Sequence, residues 1–164
     1  MIVLRALLGA ALIALSLAAP SRAAPYTGDF PWREWSDAVF EQAAREKKFV
    51  IVSLQSWWCP WCHVMNRETY ESAEVRAYLL EHFIPVRVDQ DSRPDISQRY
   101  ERWGWPATII FGPDGTEIVK LRGFYSPQFF LPILRETVKD PSPVDYGTLG
   151  GPERERTLAR SLSE

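Results

Sequence analysis

The stretch Trp57-Trp58-Cys59-Pro60-Trp61-Cys62-His63 decides how the rest of the chain is read, because it holds the only 2 cysteines of the 164-residue sequence. Directly before it runs Phe49-Val50-Ile51-Val52-Ser53-Leu54, a short apolar, β-branched segment of the kind that forms a buried strand. Pro60 follows Cys59, and proline suits the first position of a helix, where its fixed φ and missing N–H cost nothing. The cysteines are therefore predicted at a strand-to-helix junction. A thiol does redox chemistry as the thiolate, and the unpaired amides at a helix start stabilise negative charge. Cys59 is the expected nucleophile. Cys62, one turn further on and less exposed, is placed to close a disulfide or to resolve a mixed one.

Outward from that junction the pattern is regular. Upstream, Trp32, Trp35, Val39, Phe40 and Ala43 recur at three- and four-residue steps and predict an amphipathic helix over Trp32 to Lys48. Downstream, the helix opened by Pro60 is expected to reach about Tyr70, and Ser72-Ala73-Glu74-Val75 reads as a new cap with a bend or break between the two. Phe83 to Asp89 alternates as the next strand, with Pro85 near its start. Two strands joined by so long a helical crossover should be parallel. A short helix from Pro94 to Arg102 follows, then a strand at Ala107 to Phe111, a turn at Gly112-Pro113-Asp114-Gly115, and a hairpin partner at Glu117 to Leu121. Ser126-Pro127 opens a last amphipathic helix to about Lys139. The expected class is α/β, with a central mixed β-sheet flanked by helices.

The ends of the chain read differently. Residues 1–23 have a short basic start, an apolar core from Ala6 to Ala19, and Ser21-Arg22-Ala23 as small residues at a cleavage site, the pattern of a signal peptide. That core is shorter than the roughly 20 residues that span a bilayer, so no stable membrane insertion is expected after cleavage. Removing the segment takes away Arg5 and Arg22 and no acid, leaving 17 of the 19 Lys and Arg against 21 Asp and Glu, so the net charge moves from −2 to −4. A balance of that sign speaks against nucleic acid as a partner. Residues 24–140 form the predicted domain, expected to be a monomer, and the Pro-, Gly- and Ser-containing residues 141–164 a polar tail expected to be extended or mobile. The product is expected in the periplasm or secreted.

The order strand, Cys-x-x-Cys helix, strand, helix, Trp-Pro, hairpin and helix over Trp32 to Lys139 resembles the thioredoxin fold. Trp58-Cys59-Pro60-Trp61-Cys62 is similar to that superfamily's active-site stretch, and Trp105-Pro106-Ala107-Thr108 to its cis-proline loop. The resemblance implies that Pro106 is cis and lies against the Cys59 sulfur, although the residues alone also allow a trans proline starting a strand. Cys59-Pro60-Trp61-Cys62-His63-Val64-Met65, Arg93-Pro94-Asp95-Ile96 and Gly104-Trp105-Pro106 are further similar to the thioredoxin-like domain that begins the spermatogenesis-associated, thioredoxin-like proteins. Two positions depart from these patterns. Pro60 stands where that family usually has His, and Ser53 stands where thioredoxins carry a buried acid, leaving His63, Glu68 or water to take the Cys62 proton.

The expected function is exchange of disulfides with protein dithiol and disulfide partners, without a cofactor or metal. Cys59 and Cys62 carry the chemistry, Trp61, Trp105 and Pro106 bind the partner, and Trp58, Pro60 and His63 modulate the site. Of the paired tryptophans, Trp57 or Trp58 is expected in the core. His63, four residues after Cys59, either favours the thiolate or has its ring held by a backbone carbonyl. Other readings of the same residues are a structural disulfide, a redox-inactive binding or metal-delivery module, and c-type haem attachment through Cys59-x-x-Cys62-His63. The first is weak, since so small a loop gains little from closure.

Overall fold

A computed structural model describes residues 28–146. The expected signal peptide and most of the expected tail lie outside the described residues. The elements run α1 (Asp37–Glu46), β1 (Phe49–Gln55), α2 (Pro60–Met65), a π-helical turn (Asn66–Tyr70), α3 (Ala73–His82), β2 (Phe83–Asp89), α4 (Pro94–Arg99), a 3-10 turn (Glu101–Trp103), β3 (Ala107–Phe111), β4 (Glu117–Arg122) and α5 (Pro127–Lys139).

The sheet has the order β2-β1-β3-β4, with β1 parallel to β2 and antiparallel to β3, and β3 antiparallel to β4. This is the mixed sheet expected from the crossover and the hairpin. β1 is central and buried along its whole length, so its side chains alternate between two cores. Phe49 and Ile51 join Met65, Leu79, Ile110 and Phe130 on the side of α2, α3 and α5. Val50, Val52 and Leu54 join Val39, Ala43 and Tyr100 on the side of α1 and α4. Ser53 and Gln55 continue the Phe49 face, which sets two polar side chains into the layer beneath α2.

Two differences from the sequence expectation have simple causes. The first helix starts at Asp37 rather than Trp32. Ahead of it, the Arg33 N–H donates to the Pro85 carbonyl at 2.9 Å, and the Arg87 N–H donates to the Arg33 carbonyl at 2.9 Å, so the chain crosses the edge of β2 there as an extended strand. Trp32 and Trp35 therefore pack on opposite faces, against Tyr70 and Phe111 respectively. Their three-residue spacing imitates a helix that is not there.

The second difference is at the far end. Residues 141–146, expected to begin the free tail, return along β4. The Val144 N–H donates to the Ile118 carbonyl at 2.9 Å. The Lys120 N–H donates to the Tyr146 hydroxyl at 2.5 Å, and that hydroxyl donates to the Lys120 carbonyl at 3.0 Å. These bonds cover the outer edge of the sheet, where unpaired strand groups invite a second chain.

Candidate redox site

β1 stops at Gln55, and the turn Ser56-Trp57-Trp58 carries the chain over the rim of the sheet into α2. The Cys59 N–H donates to the Ser56 carbonyl at 3.0 Å and closes that turn. Cys59 is the N-cap of α2 and Pro60 its first residue. The Cys62 N–H donates to the Cys59 sulfur at 3.2 Å, the place in the first turn where a capping oxygen usually accepts. Cys59 and Cys62 are joined as a disulfide, with their Cα atoms 5.3 Å apart. Cys62 is fully buried, whereas Cys59 keeps 4 % of its surface at the rim.

The peptide between Trp105 and Pro106 is cis. Trp61, Trp105, Pro106, Gly123 and Phe124 line a shallow groove of about 240 Å³. The Gly123 N–H closes the loop by donating to the Pro106 carbonyl at 2.8 Å, and its φ of 84° is one that glycine adopts freely. Trp61 leans on Phe124, with ring centroids 5.6 Å apart, and Trp58 meets Trp105 edge-on at 6.3 Å. The expectation that Trp57 or Trp58 belongs to the core is corrected. They are 54 % and 49 % exposed, because the strand ends before them and the turn aims both outward. Phe124 was missed by sequence reasoning. Its one signal is an aromatic residue directly after a loop glycine, Gly123.

His63 stands on the outer side of α2. Its Nε2 lies 2.7 Å from the Trp57 carbonyl, and since a carbonyl can only accept, Nε2 carries a hydrogen. Of the two expected roles, this is the ring held by the backbone. Glu68 is at the surface, paired with Arg67 at 3.0 Å.

Beneath the cysteines lies a set of uncharged polar groups. Gln55 and Asn66 exchange two hydrogen bonds, Gln55 Nε2 donating to Asn66 Oδ1 at 2.9 Å and Asn66 Nδ2 donating to Gln55 Oε1 at 2.8 Å. Gln55 Nε2 also donates to Ser53 Oγ at 2.7 Å, and the Tyr70 and Thr108 hydroxyls bond each other at 3.0 Å. Burial raises the Tyr70 pKa, against hydrogen bonds with Ser53 and Thr108, so the phenol stays neutral. The Asn66 N–H bonds the Cys62 carbonyl, which ties this set to the second cysteine's backbone. No acid stands among the buried polar side chains of the described residues. Nor do those residues bring three or more His, Cys, Asp or Glu side chains together as metal ligands.

A mixed sheet between two helical layers, a Cys-x-x-Cys disulfide capping the helix after the central strand, and a cis proline directly before β3 together define a thioredoxin-like protein. Residues 25–130 match the family Thioredox_DsbH, described as "Protein of unknown function, DUF255", and the chain belongs to it. Spermatogenesis-associated protein 20 from Homo sapiens is 31 % identical over 91 residues, an alignment that covers 51 % of this chain and 12 % of that protein. The thiol:disulfide interchange protein DsbD of Ralstonia nicotianae is 30 % identical over 106 residues, covering 62 % of this chain and 17 % of the relative. The chain thus matches only a small part of these longer proteins. Among solved structures, a thioredoxin from Thermus thermophilus superposes with a TM-score of 0.59 at 24 % identity, over 65 % of this chain and 85 % of that one.

Proposed function

We propose that the protein is an exported thiol–disulfide oxidoreductase that exchanges disulfides with protein partners. The observation that carries the reading is the disulfide itself: Cys59 and Cys62 are bonded at the start of a helix, and the Cys59 sulfur accepts a backbone N–H. In the reduced protein that N–H stabilises a Cys59 thiolate, because hydrogen bonds to charged acceptors are stronger than those to neutral ones. The thiolate attacks a partner disulfide, forming a Cys59–partner bond and expelling one partner thiolate. Cys62, having given up its proton, then attacks the Cys59 sulfur. The intramolecular disulfide forms, and the second partner sulfur leaves as a thiolate. Two electrons pass to the partner, and the reverse sequence oxidises it.

In this reading Trp61, Trp105 and Pro106 form the docking groove, while Trp58, Pro60 and His63 shape the turn that holds Cys59. The apolar residues 6–19 direct export, and the protein works as a monomer in the periplasm or outside the cell. Neither cofactor nor metal takes part in the exchange.

The test is a redox titration of the purified protein alongside two serine variants. A reversible two-electron couple is expected, with Cys62→Ser accumulating a mixed disulfide with partners and Cys59→Ser accumulating none. Thiols inert towards glutathione and dithiothreitol would leave a redox-inactive binding module. The potential then sets the direction: near about −270 mV the protein reduces its partners, and near about −120 mV it oxidises them.

A further inference from the structure

The amide pair beneath the cysteines brackets the segment that carries them. Gln55 is the last residue of β1, and its backbone is fixed in the sheet, the Gln90 N–H donating to its carbonyl at 2.9 Å. Asn66 is the C-cap of α2, and its N–H bonds the carbonyls of Cys62 and His63. The two side chains are buried and exchange hydrogen bonds at 2.9 and 2.8 Å. Those bonds close residues 55–66 into a loop whose ends meet, with Cys59 and Cys62 inside it. Gln55 stands as far before Cys59 as Asn66 stands after Cys62. α2 itself runs only from Pro60 to Met65 before it passes into the π-helical turn, too short a helix to be held by its own hydrogen bonds.

We propose that Gln55 and Asn66 are positioning residues for the disulfide, an inference that rests on the redox reading above. While Cys59 and Cys62 are bonded, the S–S bond holds the two sulfurs together with or without the amide pair. Once that bond is reduced, the pair takes over. It fixes the end of α2, and through the Asn66 N–H the Cys62 backbone, to the end of β1. The two thiols stay close, so re-forming the bond costs little further chain entropy. Gln55 and Asn66 thereby draw the equilibrium between dithiol and disulfide towards the disulfide. A pair that served the core alone would stabilise both redox states equally and leave that equilibrium where it was.

Equilibration with glutathione tells the two roles apart. Glutathione disulfide oxidises the dithiol: its S–S bond breaks, the Cys59–Cys62 bond forms, and two glutathione thiols leave with the two electrons and two protons. The equilibrium constant is read by alkylating the remaining thiols and weighing the protein by mass spectrometry. Asn66→Ala is expected to lower it about ten-fold, the size of about one or two hydrogen bonds, which corresponds to about 30 mV towards a more oxidising protein. Gln55→Met/Asn66→Leu removes the same bonds without leaving an unpaired buried atom, and decides the matter if Asn66→Ala fails to fold. It should lower the constant in the same direction, by at least about three-fold. Val39→Ala, which loosens packing on the opposite face of the sheet, should lower stability while leaving the constant within about two-fold of the wild type. A constant unchanged or raised in either folded pair variant, or a fall matched by Val39→Ala, overturns the proposal while the redox reading stands. A wild-type disulfide that neither glutathione nor dithiothreitol opens reversibly removes the redox reading, and this proposal with it.

Discussion

Asn66→Ala tests whether the amide pair beneath the cysteines holds the site together. The substitution removes both bonds between Asn66 and Gln55 and leaves Gln55 Oε1 with nothing to accept from, while Gln55 Nε2 keeps Ser53 Oγ. Gln55 is 1 % exposed, so solvent does not reach the orphaned oxygen without opening the core. An unsatisfied buried acceptor costs about 1–3 kcal/mol, and the lost bonds about 1 kcal/mol more. The expected loss is therefore about 2–4 kcal/mol, a large share of the roughly 5–15 kcal/mol that holds such a domain folded. Removing both partners should cost less than removing one, because Gln55→Met/Asn66→Leu leaves no orphan. Urea unfolding of the oxidised protein measures Asn66→Ala, the double variant and its two singles, Gln55→Met and Asn66→Leu. A loss below about 0.5 kcal/mol for Asn66→Ala, or a double variant that costs the sum of its singles, refutes the reasoning.

Three further predictions follow from single contacts. Burial raises the Glu117 carboxyl, but hydrogen bonds from Lys120 and Tyr100 and the charge of Arg99 outweigh it and hold the group below the usual carboxylate range. A depressed folded value gives stability that is full at neutral pH and lost as pH falls through that value. Urea midpoints of the wild type should accordingly drop more steeply than those of Glu117→Gln between about pH 5 and pH 3, and parallel curves count against the assignment. Tyr146→Phe removes the hydroxyl that pairs with both backbone groups of Lys120. The Lys120 amide should then exchange its hydrogen about ten-fold faster with little change in global stability, and unchanged protection refutes a role for residues 141–146 in covering the edge. Trp61 is 60 % exposed, so Trp61→Ala should alter stability by no more than about 0.5 kcal/mol while raising KM for exchange with cysteine peptides about ten-fold. An unchanged KM removes Trp61 from the docking groove.

What the sequence told and withheld follows from the range of each signal. β1 and β3 were legible because a strand buried on both faces leaves an apolar run, β2 because its residues alternate, β4 because the turn at Gly112 to Gly115 sets a hairpin partner after it, and α2 and α5 because Pro60 and Pro127 mark their first residues. The break after Tyr70 was legible from Ser72, and it takes the form of the π-helical turn Asn66–Tyr70 ahead of α3. Periodicity failed at Trp32, since hydrophobic spacing says that a side chain is buried but not on which face of the sheet. It failed again at Trp57 and Trp58, where composition spoke for the core and the position just past the strand end spoke for the rim. The partnership of Gln55 with Asn66 was invisible for a third reason: nothing local distinguishes a buried glutamine in a strand from one at an edge until the helix above supplies its complement. Tyr146 was hidden in the same way, as a lone aromatic in a polar stretch whose partners lie 26 residues back on β4.

In the proposed exchange the two cysteines meet different surroundings. At the position where thioredoxins hold a buried acid, Ser53 accepts from Gln55, and the neighbouring groups, Asn66, Tyr70 and Thr108, are all neutral and hydrogen-bonded. A layer of that kind is itself uncharged, and it ties to the Cys62 backbone through the Asn66 N–H. The His63 Nε2 carries the hydrogen bonded to the Trp57 carbonyl, so that nitrogen does not accept a proton. In the proposed exchange the first attack falls to Cys59, whose sulfur already has its N–H donor. In that exchange, resolution by Cys62 is the step in which a proton has to leave a fully buried thiol.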